Sequence, residues 1–237
     1  MPRCLQFSLL ALLFVLMPFS IDADEKNDGF VSIFDGKTLG HWDGNPKLWS
    51  VEDGAITGVN SKDDPIPGNT FIIWRGGQTA DFELKLQYKI VGGNSGIQYR
   101  SFEVPDNKWV VGGYQADFEA GDRFSGILYG ERFRGVLADR GQKTVINEEG
   151  KPEVVGSVGD SEEIGTHIKK EDWNDYHIIA RGNHFVHKIN GVVTCECTDE
   201  DDAARDKGIL ALQLHAGPPM KVQFRKILYK PLPQKKK

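Results

Sequence analysis

Phe82, Leu84, Leu86, Tyr88 and Ile90 alternate with Glu83, Lys85, Gln87 and Lys89. Strict two-residue alternation predicts a strand with one face in a core and the other in water. Two dipeptides predict how other strands pair. Asn190 and Gly191 separate the runs 184–189 and 192–197, and Asp53 and Gly54 separate 48–51 from 55–59. Asn-Gly and Asp-Gly accept the left-handed backbone that a two-residue hairpin needs. Further strand-like runs are 30–34, 70–74, 95–100, 113–118, 126–129, 176–180, 209–215 and 222–229, nearly all bounded by turn residues. No long segment has helical period. Residues 199–206 are expected to make one or two helical turns, with acidic side chains at the positive end of the helix dipole. Residues 139–172, polar and dotted with glycine, read as a long loop, and the proline- and lysine-rich 231–237 as a mobile basic tail. About a dozen short strands predict an all-β chain of two packed antiparallel sheets.

Composition agrees with that outline. The 237 residues are 39% hydrophobic and 27% charged, enough apolar surface for one packed domain, expected over 24–230. The 27 glycines and 11 prolines follow no G-X-Y period and imply many turns. Lys and Arg number 29 against 34 Asp and Glu, a net charge of −5. A nucleic-acid partner is therefore not expected, since phosphate binding needs clustered positive charge.

Residues 1–23 differ from the rest. Arg3 precedes an apolar run, 7–19, broken only by Ser8 and Pro18, and Ala23 is a small residue at a cleavage position. This reads as a secretory signal peptide, with the product exported to the periplasm or the medium. The run is shorter than the ~20 residues that span a bilayer, so no membrane span is expected after cleavage. Cys4 lies too early for a lipid-anchored cysteine. Cys195 and Cys197 read as small residues on one strand face, since i and i+2 lie about 6.5 Å apart, at the edge of disulfide reach.

Face parity in the middle of the chain is uneven. Ile97 and Tyr99 fall opposite Asn94, Gln98 and Arg100; Tyr114, Ala116 and Phe118 oppose Gln115, Asp117 and Glu119; Leu210, Leu212 and Leu214 oppose Gln213 and His215. Each strand pairs a core-like face with one bearing Asn, Gln, Asp, His or Arg rather than the Lys and Glu of a wet surface. That pattern fits the floor of a cleft. Gln115-Ala-Asp117-Phe-Glu119 also resembles the Glu-x-Asp-x-Glu strand of retaining β-glucanases, with Gln115 at the nucleophile position. An amide cannot form the glycosyl ester of that mechanism.

The broader pattern resembles the 3-keto-disaccharide hydrolase family, also described as 3-keto-glucoside lyase/hydratase domains. Phe30-Val-Ser-Ile-Phe-Asp-Gly-Lys-Thr-Leu-Gly-His-Trp42 is similar to the family opening, and Trp49-Ser-Val-Glu-Asp-Gly54 to its W-x-V-x-D-G. Asp81-Phe-Glu-Leu84, Gly92-Gly-Asn-Ser-Gly-Ile-Gln-Tyr-Arg100, Gly113-Tyr-Gln-Ala-Asp117, Gly126-Ile-Leu-Tyr129 and Trp173-Asn-Asp-Tyr176 follow in order. Many members carry Glu in a Tyr-Glu-x-Gln strand where this chain has Tyr114-Gln-Ala-Asp117.

The resemblance implies a jelly-roll (concanavalin A-like/LamG-like) sandwich acting on glycosides oxidised to a ketone at carbon 3. The ketone acidifies the hydrogen on carbon 2. A base removes it, the group on carbon 1 leaves by β-elimination, and water adds back for a net hydrolysis. Such a site needs a base, a donor for the enolate oxygen and an acid for the leaving group. On this reading Asp117 or His215 is the base, Arg100 holds the ketone or enolate oxygen, and Tyr129 or Glu119 assists proton transfer. Asn94, Gln98, Gln115 and Gln213 bind hydroxyls, and Trp109, in the loop 101–111, is a stacking platform. A divalent metal on Asp117, Glu119 and His215 is left open. So are three structural alternatives: an Arg100–Asp117 salt bridge, His215 as a strand end, and Trp109 as a pin for its loop. The rival functions are a lectin-like carbohydrate-binding module and a conventional glycoside hydrolase acting on an oligosaccharide or glycoside.

Overall fold

A computed structural model of the chain describes Met1 and residues 28–233. Apart from Met1, the signal-like segment lies outside the described residues, as do 234–237. The larger sheet orders its strands β12 (Pro152–Ser157), β11 (Gln142–Ile146), β15 (Val192–Asp199), β14 (His184–Ile189), β13 (Asn174–Arg181), β6 (Phe82–Val91), β17 (Met220–Pro231), β4 (Ala55–Asn60) and β3 (Trp49–Glu52). A short β1 (Val31–Ser32) also pairs with β17. The smaller sheet runs β10 (Gly135–Ala138), β9 (Leu128–Glu131), β8 (Val111–Glu119), β7 (Asn94–Glu103), β16 (Gly208–Leu214), β5 (Thr70–Thr79) and β2 (Trp42–Asp43). Neighbours are antiparallel, except that β11 runs parallel to β15.

The alternation in β6 places Phe82, Leu84, Leu86, Tyr88 and Ile90 in one core with Ile97, Tyr99, Tyr114 and Phe118 of the smaller sheet. Each such side chain contributes about 1.5–3 kcal/mol by leaving water. Trp42, Trp49, Leu210, Leu212, Leu214, Cys195 and Cys197 join them, and both cysteines are free thiols. His187 is wholly buried, with its ring 3.0 Å from the Tyr99 hydroxyl. Burial pushes its pKa down to about 3, which keeps it neutral. The two predicted hairpins form as read: Asp53 and Gly54 have φ of 50° and 75°, Asn190 and Gly191 49° and 83°. Left-handed backbone at both central residues matches the right-handed twist of the flanking strands.

The β7–β8 hairpin is bent. Its register shifts between Tyr99 and Phe102, where Arg100 takes φ 48°, opposite Gly113 at φ 139°. A Cβ on Gly113 would lie 2.7 Å from the Ser101 Cα, so the close approach of the two backbones there requires glycine. Beyond the bend, Trp109 and Val111 pack on Phe71, Ile73, Ile209 and Ala211, on the face of β5 and β16 turned away from the core. The Phe71 amide donates to the Trp109 carbonyl at 2.9 Å.

The bend moves Arg100 off the face that residue parity assigned to it. Its guanidinium is 1% exposed and donates to the carbonyls of Ala80 (2.8 Å), Gly182 (2.6 Å) and Arg205 (3.2 Å). It also pairs with Asp81 at 2.9 Å. Those partners lie in turns of both sheets, so Arg100 clamps one end of the sandwich, and its ion-pair partner is Asp81 rather than Asp117.

Three other expectations are corrected. The expected loop 139–172 contains β11, β12 and a short helix α1 (Ser161–Thr166), capped by Asp160 accepting from Glu162 N and Glu163 N. Every residue of β12 is exposed, so no apolar alternation marked it. Residues 199–206 form no helix. Asp199 ends β15 and takes the Tyr114 hydroxyl and the Arg134 guanidinium, while Asp201 lies 3.3 Å from Arg134. The tail starts later than Pro231, because β17 includes that residue and the buried Leu232 donates to Asp81 O at 2.8 Å.

Replacing Asp81 by Ala leaves the buried guanidinium of Arg100 without its counter-charge. The expected loss in urea unfolding is about 3 kcal/mol; a loss within about 0.5 kcal/mol contradicts the clamp.

Candidate functional site

The outer face of the smaller sheet is apolar over β5 and β16, where the bent hairpin covers it, and polar beside that cover. Register sets the polar part. Gln98 of β7 stands opposite Gln115 of β8, which stands opposite Tyr129 of β9; Asp117 stands opposite Gly96. A Cβ at Gly96 would fall 2.5 Å from Gln115 Cγ. Glycine there lets the Gln115 side chain lie across the β7 backbone toward β16.

The side chains form one donor-to-acceptor chain. The Ser101 hydroxyl donates to Gln98 Oε1 at 2.7 Å, and Gln98 Nε2 donates to Gln115 Oε1. Gln115 Nε2 donates to Asp117 Oδ1 at 3.0 Å and lies 3.4 Å from Gln213 Oε1. Gln213 Nε2 donates to Glu131 Oε2 at 3.2 Å, and Asn69 Nδ2 reaches Glu131 Oε1 at 3.5 Å. Asn94 Nδ2 donates to Asp117 Oδ2 at 3.3 Å. Two carboxylates, 5% and 8% exposed, are thus joined through two glutamine amides. Among the described residues, no lysine, arginine or histidine forms an ion pair with either.

This environment sets the proton affinities. Burial pushes the Asp117 carboxyl up to about 7, against the pull of the hydrogen bonds from Asn94 and Gln115, and the charges of Glu119 and Glu131 add to the rise. Tyr129 is raised by burial and by the nearby Glu131 and Asp117, so its hydroxyl stays protonated. That hydroxyl makes no hydrogen bond among the described residues. The site therefore offers a base that is half-ionised near neutrality, beside a phenol that can give a proton.

The structure brings together Asn94, Gln98, Gln115, Asp117, Tyr129 and Gln213 of the residues singled out from sequence. It does not bring in Arg100, which is held in the clamp. Glu119 caps its own loop, accepting from Arg123 N at 2.7 Å and Phe124 N at 3.0 Å. His215 follows the last residue of β16, and its Nδ1 contacts the carbonyl of Ala216. Accordingly Asp117, Glu119 and His215 do not assemble as a ligand set, and among the described residues no three His, Cys, Asp or Glu side chains are grouped to hold a metal. Trp109 is no open platform. Its indole N–H donates to Asp43 at 2.9 Å, Lys108 sits 4.1 Å from its ring centre, and it packs on the apolar patch.

Glu131, Asn69 and Ser101 were missed. Glu131 was within reach of parity, two residues beyond Tyr129 on the same strand. Ser101 had no signal because it joins only through the bend, and Asn69 because it joins through Glu131 and the Ala216 amide, far away in sequence. A groove of about 460 Å³ begins at Asn69 and continues past Trp109 and Arg132. A larger cleft of about 1020 Å³ opens between Glu119, Arg140 and α1, and none of the clustered amides or their two carboxylates lines it.

A family model described as a 3-keto-alpha-glucoside-1,2-lyase-like domain matches residues 29–230. A 3-keto-disaccharide hydrolase of Bacteroides thetaiotaomicron is 37% identical over 87 residues, covering 32% of this chain and 29% of that protein. The matched segment is thus under a third of either. A solved structure from Parabacteroides distasonis ATCC 8503, provisionally described as a glycosyl hydrolase, aligns with TM-score 0.56 and 21% identity over 86% of this chain and 99% of that one. A Bacillus subtilis protein with a galectin-like fold aligns with TM-score 0.56 and 11% identity over 83% and 92%. The structural likenesses bear on the fold, a two-sheet jelly-roll sandwich.

Asp117 binds a proton more tightly in the folded chain (about 7) than an unfolded aspartate does (about 3.9). Its contribution is therefore full below pH 4 and is lost as pH rises through 7, on the order of 4 kcal/mol. Asp117→Asn is expected to stabilise the protein at about pH 8.5 relative to its effect at about pH 4.5, read by urea unfolding at both. An equal effect at the two pH values contradicts the assignment.

Proposed function

The chain belongs to the 3-keto-alpha-glucoside-1,2-lyase-like domain family, and from that premise we propose a carbohydrate-active enzyme that cleaves the glycosidic bond of sugars bearing a ketone at carbon 3. The observation that carries the reading is Asp117: a buried carboxylate, near neutral in proton affinity, with a proton-bearing phenol beside it and no nucleophile at the position of Gln115. The ketone lowers the acidity barrier at carbon 2, so a carboxylate tuned to about 7 is a suitable base.

In the first half-reaction Asp117 takes the proton from carbon 2. The electron pair of that bond forms the carbon 1–carbon 2 double bond as the bond from carbon 1 to the leaving oxygen breaks. Tyr129 gives its proton to that oxygen. In the second half, water adds its oxygen to carbon 1 and loses a proton to the Tyr129 phenolate, while Asp117 returns its proton to carbon 2. The sum is hydrolysis, with both side chains restored. Asn94 Nδ2, partly exposed, uses one hydrogen on Asp117, leaving the other for a sugar hydroxyl or the enolate oxygen. Glu131 fixes Gln213, and burial together with the charges of Glu131 and Asp117 keeps Tyr129 protonated. The signal-like residues 1–23 support export, so the substrate would be met outside the cytoplasm.

The test uses the purified protein with a 3-keto-glucoside and its unoxidised parent. Cleavage of the keto form alone is expected, with kcat/KM rising about tenfold per pH unit toward a plateau above pH 7, as Asp117 loses its proton. Asp117→Asn is expected to cost about 10²–10⁴-fold. Cleavage of the parent establishes a conventional glycosidase instead, and sugar binding without cleavage a lectin-like module.

A further inference from the structure

The groove of about 460 Å³ that starts at Asn69 shares that residue with the site. Asn69 lines the groove, donates to Glu131 at 3.5 Å and accepts the Ala216 amide at 3.0 Å. The groove's charge is one-sided. Lys47, Lys108 and Arg132 line it against the single carboxylate of Asp64. None of the three cations forms an ion pair among the described residues, although eleven such pairs form elsewhere. All three are exposed. Arg132 stands next to Glu131 with φ 46°, and Trp109 has φ 58°. Left-handed backbone at side-chain-bearing residues costs about 1–2 kcal/mol each, and both positions border this groove.

We propose that the groove receives the departing part of the substrate and selects a leaving group that carries a carboxylate, a uronic acid rather than a neutral sugar. The inference rests on the proposed reaction for its orientation: with Asp117 at carbon 2 and Tyr129 at the leaving oxygen, the aglycone extends past Glu131 toward Asn69 and Arg132. A uronate placed there meets three cations against the one carboxylate of Asp64, and its ring meets the wall formed by Ile66. Such exposed charges steer and hold an anion modestly and are screened by salt.

The experiment compares two 3-keto-glucosides whose leaving groups are glucose and glucuronate. At low ionic strength the ratio of their kcat/KM values is expected to favour the glucuronate about tenfold. At about 1 M salt, where the Debye length is about 3 Å, the ratio falls toward unity. It falls likewise at low salt in a Lys47→Gln, Arg132→Gln double variant. A ratio near one at low salt, or a preference indifferent to salt and to those substitutions, overturns the proposal. If neither substrate is cleaved, the proposed reaction fails, and free glucuronate and glucose are then titrated while the Trp109 indole resonance is followed by NMR. Tighter binding of glucuronate that the double variant abolishes upholds the anion site; equal or absent binding overturns it.

Discussion

Asp117 is a carboxylate held out of water with no cation paired to it among the described residues, and the polar face is organised around that condition. A guanidinium partner would satisfy the charge but would also pin the group in its ionised form at low pKa. Amides do otherwise: Gln115 and Asn94 orient the carboxylate and partly offset its burial, and its proton affinity stays near neutrality. The donors form an oriented run from Ser101 through Gln98 and Gln115, and Gln213 turns its own N–H to Glu131. Gly96 gives Gln115 its room, and the bend at Arg100 and Gly113 brings the hairpin over the apolar half of the face.

Arginine is used for scaffolding instead. Arg100 and Arg134 are spent on Asp81 and Asp199, tying turns and strand ends of the two sheets together. Burying such pairs contributes little net stability, but breaking one is costly, so they fix geometry more than they add stability. On the proposed mechanism this division leaves the enolate oxygen to neutral amide donors, while the phenol of Tyr129 serves the leaving oxygen. Lys47, Lys108 and Arg132, which form no ion pair among the described residues, line the groove, where on the proposal they act on the leaving group and not on the base.

The legible part of the fold was what a period of two can report. β6, both two-residue hairpins and the polar face carrying Gln98, Gln115, Asp117 and Gln213 follow from alternation and turn chemistry. Parity failed at Arg100, because one left-handed residue resets which side the next side chain takes. It was silent on β12, an edge strand wet on both faces, and it stopped one step short of Glu131. Asn69 joins the site across the sheet through contacts that no local pattern encodes. Trp109 and His215 were of the right chemical type, but Asp43 and Lys108 occupy the first, and the second contacts its own following carbonyl.

The most direct measurement is the titration of the Asp117 carboxyl carbon by NMR in ¹³C-aspartate-labelled protein, with Asp117→Asn used to assign the signal. The expected midpoint is about 7, well above the ordinary aspartate range. A midpoint near the ordinary aspartate value of about 4 means that water or an unrecognised charge reaches the group, and Asp117 is then not the base.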